Sequence, residues 1–165
     1  MLKKIVCGVV LCCQALAVTA NTGQVVGWVE IIGVPVLGVN AKAKLDTGAL
    51  TSSIHATNVA RFTKDDEKWV RFTISLQDAA SKKVVERELE RPLHRRVKVF
   101  GAGGADSRLV VFLAICVGDQ LLNEQFSLSN RKDKNYGLLI GRRTLQHIGL
   151  LDVRKTFTLA PQCDA

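Results

Sequence analysis

Residues 43–54 read AKLDTGALTSSI, and this stretch decides how the rest of the chain is interpreted. A strand-like run leads into Asp46, Thr47 and Gly48, and small or hydroxylated residues follow. Such a sequence suits a carboxylate held in a tight turn. Gly48 allows the backbone to come close, Thr47 can hydrogen-bond within the loop, and Asp46 is left free to act on water. Asp-Thr-Gly alone is a weak signal, because Asp is common in ordinary turns.

Two segments downstream accompany this motif. Residues 138–142, LLIGR, are an apolar run closed by glycine, directly before a helix predicted at residues 142–148 and ended by Gly149. Residues 97–111 place two strand-like arms around a glycine-rich tip, GAGG at 101–104. This arrangement predicts a mobile hairpin.

The apolar residues of the chain occur in short runs separated by turn signals. Residues 69–76 alternate in part between apolar and polar positions, which is typical of a half-buried strand. Strand-like content is found at residues 25–32, 34–45, 69–76, 84–89, 97–100, 109–117 and 121–128. The spacing of these runs predicts an all-β barrel or sandwich, and 47% hydrophobic residues exclude a wholly disordered chain.

Three features of the chain resemble the retropepsin-like aspartic proteases, and they follow one another in the same order as in that family. They are the loop with Asp46, Thr47 and Gly48, called here the catalytic-type loop, then the glycine-tipped hairpin, then the apolar-Gly segment. Residues 27–29, 42–49, 53–56, 69–72 and 129–131 resemble a bacterial branch of this family. That branch is often labelled "ATP-dependent zinc protease" and is linked with RimK-type ATP-grasp ligases. The resemblance covers most of residues 25–159.

The resemblance implies a retropepsin-like closed barrel with a flap hairpin and one short helix. It also implies aspartic endopeptidase activity, with Asp46, Thr47 and Gly48 as the catalytic motif. Gly101, Gly103 and Gly104 would then belong to the substrate-binding flap. The residues that would support the catalytic loop are Ala49, Ile140, Gly141 and Arg142.

Aspartic proteolysis needs two carboxylates that share one proton, because close like charges separate their titrations. The chain contains a single Asp-Thr-Gly, and its length is too short for a two-lobed enzyme. A homodimer that brings two copies of Asp46 together is therefore the expected active form.

No cofactor or metal is expected from the motifs. The sequence holds neither His-Glu-x-x-His nor a Gly-x-x-x-x-Gly-Lys-Ser/Thr loop. Its three histidines, His55, His94 and His147, are far apart in the chain, and His55 follows the catalytic-type loop closely enough to support it.

Residues 1–20 have the three-part pattern of a secretory signal peptide: a basic start, a short apolar run, and small residues before the cleavage point. An uncleaved membrane anchor is the alternative. Cleavage would leave one domain at residues 21–165, periplasmic or secreted and without membrane contact, with formal net charge reduced from +8 to +6. Cys116 and Cys163 would remain, either bridged or as independent thiols.

The basic charge favours an anionic partner. Nucleic acid is not expected, because only 5% of the residues are aromatic and the basic stretch at residues 91–96 has no interleaved aromatic side chains. A peptide or protein substrate is expected, with acidic peptides as one candidate class. The alternative function is an inactive periplasmic module with the same fold that binds peptides or senses envelope conditions.

Overall fold

The computed structural model describes residues 24–101 and 104–163; the predicted signal peptide at residues 1–20 lies outside this part. Its strands are β1 (Val25–Val34), β2 (Val39–Leu45), β3 (Ser52–Lys64), β4 (Glu67–Gln77), β5 (Val84–Pro92), β6 (Arg95–Gly101), β7 (Gly104–Val117), β8 (Gln120–Ser129), β9 (Leu138–Ile140) and β10 (Leu150–Thr156). The helix α1 spans Arg142–Ile148. Within the described residues, no helix is long and apolar enough to cross a membrane.

Six of these strands close into a ring in the order β1, β2, β9, β3, β8, β7 and back to β1. The closure between β1 and β7 consists of one residue pair, Gly33 with Cys116. A side chain at position 33 would lie 2.9 Å from the Cβ of Cys116, so glycine permits this close approach. The prediction of an all-β fold with one short helix is thereby confirmed.

The core lies inside the ring and continues under a second layer, in which β4 pairs with β3 and β5. The alternation predicted for residues 69–76 is present. Val70, Phe72, Ile74 and Leu76 are buried, and they pack in one cluster with buried residues of β1, β2, β7 and β8. Burial of these side chains on one face holds the second layer against the ring.

Several strands extend beyond their predicted ends, and three strands were missed. The run 34–45 is interrupted by a turn at residues 35–38, and the charged cluster 64–68 is mostly strand. Only Asp65 and Asp66 form the turn there, both with positive φ, 50° and 60°. Such a two-residue turn matches the twist of a hairpin, so β3 and β4 continue to its edge. The missed strands are β3, β9 and β10.

The segment after β10 is held on the ring by a buried carboxylate and a disulfide. Glu30 of β1 is fully buried and accepts hydrogen bonds from the backbone amides of Gly27, Thr158 and Leu159. Cys163 forms a disulfide with Cys116. The sequence had left open a disulfide or two independent thiols, and the structure has the disulfide. The disulfide lies at the β1–β7 closure, so it reinforces the weakest pairing of the ring.

Replacing both bridging cysteines, Cys116→Ser and Cys163→Ser, should destabilise the protein without changing its fold. The bridge joins residues 47 positions apart. Releasing a loop of this size increases the entropy of the unfolded chain, which corresponds to about 4 kcal/mol of unfolding free energy. Urea denaturation monitored by circular dichroism measures this difference. Reductant should lower the melting temperature of the wild type and leave the double variant unchanged; an unaffected wild type would contradict the prediction.

Candidate active site

Asp46 lies in a tight turn between β2 and β3. The Gly48 amide donates a hydrogen bond to Asp46 Oδ1 at 2.9 Å, and the Ala49 amide donates to the Asp46 carbonyl at 3.2 Å. The side chain of Asp46 remains 25% exposed. The turn therefore fixes one carboxylate oxygen and leaves the group accessible, as the sequence pattern suggested.

The segment Ile140–Arg142 braces this turn from behind. The Asp46 amide donates to the Ile140 carbonyl at 2.8 Å, and the Arg142 amide donates to the Ala49 carbonyl at 2.8 Å. Gly141 lies against the loop, where a Cβ would lie 2.8 Å from the carbonyl carbon of Thr51. The structure thus brings together Asp46, Ala49, Ile140, Gly141 and Arg142, the residues predicted for the loop and its support.

A buried chain of hydroxyl groups anchors the same segment to the core. Ser52 Oγ accepts a hydrogen bond from the Gly141 amide at 3.0 Å and lies 2.8 Å from Thr144 Oγ1. Thr144 Oγ1 donates to Glu124 Oε2 at 3.2 Å, and Glu124 Oε1 lies 2.6 Å from His147 Nδ1. Since Thr144 gives its proton to Glu124, Ser52 donates to Thr144. Sequence reasoning assigned no role to these residues, because their separations along the chain are large.

Lys44 is the immediate charged neighbour of Asp46. Its Nζ lies 3.1 Å from Asp46 Oδ2, so one carboxylate oxygen faces the ammonium and the other faces the Gly48 amide. Partial burial opposes ionisation, but these hydrogen bonds outweigh it and hold the pKa of Asp46 below its usual value. Lys44 lies in β2, two positions before Asp46, which follows directly after the last residue of that strand, and this spacing could have predicted the pair.

A cleft of about 420 Å³ opens beside the Asp46 loop. Its walls include Gly48 and Ala49 of the loop, the inner side of β6, and the arginines Arg95, Arg108 and Arg131. Burial lowers the pKa of Arg131, nearby Arg108 lowers it further, and Asp46 partly offsets the change. Arg108 and Arg131 therefore repel one another in the cleft, although Asp106 also pairs with Arg108 at 2.7 Å.

Arg95 connects the base of the predicted flap to the catalytic-type loop. Its Nη2 donates to Thr51 Oγ1 at 3.0 Å, and its Nε donates to Gln125 Oε1 at 2.9 Å. The flap is the hairpin of β6 and β7, which end at the facing pair Gly101 and Gly104. Gly104 has φ of 98°, a conformation that favours glycine. Gly103, the third predicted flap glycine, lies outside the described residues.

His55 supports a neighbouring loop rather than Asp46 itself. Its Nδ1 accepts a hydrogen bond from the Arg131 amide at 2.8 Å, so the ring fixes where Arg131 enters the cleft. Burial is the main reason that the pKa of His55 is lowered. Among the described residues there is no group of three or more His, Cys, Asp or Glu side chains placed to hold a metal ion.

Lys44→Met should raise the pKa of Asp46, since methionine keeps the aliphatic length but removes the ammonium that favours the carboxylate form. The pKa can be read from the carboxyl carbon of Asp46 in an NMR titration. Lys42→Met is the matched control, because Lys42 lies on the same strand with its Nζ over the ring of Phe157, 5.4 Å from the ring centre. Equal shifts in both variants would contradict a specific contact.

Comparison with known proteins places this geometry in a family. A family model described as retropepsin-like aspartic endopeptidase RimB matches residues 25–162. A protein named "Probable alpha-L-glutamate ligase" from Shewanella halifaxensis is 34% identical over 142 residues, which are 85% of this chain and 31% of the relative. One of the same name from Desulfotalea psychrophila is 30% identical over 131 residues, 78% of this chain and 28% of that protein. The chain thus spans less than a third of these relatives.

A solved structure supports the same assignment. The crystal structure of a Legionella pneumophila protein of unknown function is 30% identical and superposes with a TM-score of 0.68, covering 84% of this chain and 98% of that one. Together with the match over residues 25–162, this similarity shows that the chain belongs to the RimB-like family of retropepsin-like proteins.

Proposed function

We propose that this protein is an exported aspartic endopeptidase that acts as a homodimer, with one Asp46 from each copy around a shared water. The observation that carries the proposal is the Asp46 turn, which is braced by Ile140 and Arg142 and opens into a cleft below a hairpin flap. A carboxylate held this rigidly and left accessible has the geometry that water activation needs.

The chemistry follows from two carboxylates that share one proton. The ionised Asp46 takes a proton from water as its oxygen attacks the peptide carbonyl, and the protonated Asp46 gives its proton to the carbonyl oxygen. Collapse of the tetrahedral intermediate then breaks the C–N bond. The amine leaves with a proton from the carboxyl that gained one, and the other carboxylate takes a proton from a hydroxyl of the intermediate, which restores the pair with its single shared proton. The two titrations belong to the pair rather than to either residue.

The surface around Asp46 is suited to contact with a second copy. Thr47 and Gly48 are exposed at the tip of the turn, and Leu50 beside them is 50% exposed. Leu150 is 66% exposed on β10, a strand at the sheet edge. An unpaired strand edge with apolar side chains favours pairing with another chain. In the dimer, Thr47 would brace the facing loop and Gly48 would allow the two loops to approach.

Acidic peptides are the substrate class that the charges of the cleft favour. Arg108 and Arg131 repel each other there, and a carboxylate placed between them would relieve that repulsion and accept hydrogen bonds from both. Flap closure would exclude water and strengthen these interactions.

Export is supported by the N-terminal pattern at residues 1–20 and by the Cys116–Cys163 disulfide, which suits an oxidising compartment. We therefore propose a periplasmic or secreted location.

Asp46→Asn should lower peptidase activity at least about a hundredfold, because the amide cannot accept the proton of the attacking water. Wild type and variant are then mixed in equal amounts and allowed to exchange subunits. The mixture should have about a quarter of the activity of wild type at the same total protein concentration, because only dimers of two wild-type copies carry both carboxylates. Independent monomers would leave about half. Asp133→Asn, an exposed carboxylate in a loop, is the control and should leave activity unchanged.

An inactive peptide-binding module is the alternative, favoured by the ion pair of Asp46 with Lys44 in a single chain. Wild type that binds acidic peptides but hydrolyses none from acid to neutral pH would overturn the peptidase proposal in favour of this module.

Arg131→Gln should reduce the preference for acidic substrates. Loss of one charged hydrogen bond corresponds to about a tenfold fall in kcat/KM for a glutamate-rich peptide relative to an alanine-rich one. The measurement is kcat/KM for both peptides. Equal falls for the two peptides would indicate that Arg131 acts on the fold rather than on carboxylates.

A further inference from the structure

A second groove is lined by residues of the flap hairpin and by none of the catalytic-type loop. It occupies about 560 Å³ between β3, the β6–β7 hairpin and the end of β8. Apolar and neutral residues, Leu109, Leu128, Ser129 and Asn130, line it together with Arg61, Arg96 and Arg108. We call this the outer groove.

The outer groove has an excess of positive charge that the described residues do not compensate. Asp106 is the acidic side chain in its lining, and it pairs with Arg108 at 2.7 Å. Arg61 and Arg96 are exposed, and no carboxylate of the described part of the chain lies within 4.0 Å of either guanidinium. Two unpaired guanidinium groups in the lining of one groove favour the binding of anionic groups there.

The outer groove adjoins the cleft beside the Asp46 loop, because Arg108 contributes to the lining of both. An extended peptide advances about 3.3 Å per residue and points alternate side chains to the same side. A chain that leaves the cleft past Arg108 would therefore enter the outer groove within a few residues.

We propose that the outer groove is a second binding site for the substrate chain, which takes carboxylate-bearing residues remote from the bond that is cut. Carboxylates pair with Arg61 and Arg96, and the methylene groups of glutamate-like side chains pack on Leu109 and on Val59, which is 40% exposed. The substrate class of this site rests on the proposed function. Binding at the site does not depend on catalysis, because it needs no hydrolysis. It makes affinity depend on the length of the acidic segment.

The test uses the Asp46→Asn protein, so that binding is measured without cleavage. Fluorescence anisotropy gives the Kd of a glutamate peptide of about twelve residues and of one of about four, too short to occupy both sites. The double variant Arg61→Gln/Arg96→Gln should weaken the long peptide about fivefold to tenfold and leave the short one unchanged. Arg87→Gln/Lys155→Gln, two exposed residues outside both sites, removes the same charge and serves as control.

Three outcomes would overturn the proposal. If the double variant weakens binding of the long and short peptides equally, the effect lies in the cleft. If the control variant weakens binding of the long peptide as much as the double variant does, the effect comes from overall charge. Inorganic phosphate is the competitor to test for the third outcome. If it displaces the long peptide as effectively as a short glutamate peptide does, the groove is a general anion site instead. Because the assay is independent of turnover, failure of the Asp46 mixing experiment leaves its result intact.

Discussion

The clamp of the Asp46 turn between β9 and the start of α1 is the constraint on which the rest of the site depends. The turn makes a backbone hydrogen bond to Ile140 on one side and backbone hydrogen bonds to Arg142 and Arg143 on the other. β9 contributes only three residues, yet it pairs with both β2 and β3, the two strands that the turn connects. Because β9 pairs with both of these strands, it fixes the turn to the sheet. The strands of the ring therefore determine the orientation of the Asp46 carboxylate.

Electrostatics distinguishes this site from a bare carboxylate in a turn. Lys44 pairs with Asp46 from its own strand, and Arg131 faces it from the loop after β8. Cations near a shared-proton pair stabilise its ionised forms, which moves the singly protonated state to lower pH. Under the proposed function, the same cations would draw acidic peptides toward the cleft, so one set of charges would bear on both the working pH and the choice of substrate.

The fold was predictable where the signal was local. The helix at residues 142–148 agrees with its prediction, because glycine marks both of its ends. The inward side of β4 also agrees, since apolar residues at every second position over eight residues fall on one face of a strand. β3 was missed because hydroxylated residues at its start resemble a loop, although Ser52 and Ser53 are buried. The burial of Ser52 is compensated by partners distant in sequence, Thr144 and Gly141, which no local pattern reveals.

The sequence by itself determined the Asp-Thr-Gly turn, the apolar-Gly segment, the flap hairpin and the family they resemble. These are local arrangements, set by residues within a few positions of one another. Only the tertiary structure decided that arginines from β6, β7 and the loop after β8 meet beside Asp46, and that Cys163 bridges to Cys116 at the ring closure. The physical reason is strand register: contacts between distant segments depend on which residues pair across the sheet, and that choice is made by the core as a whole.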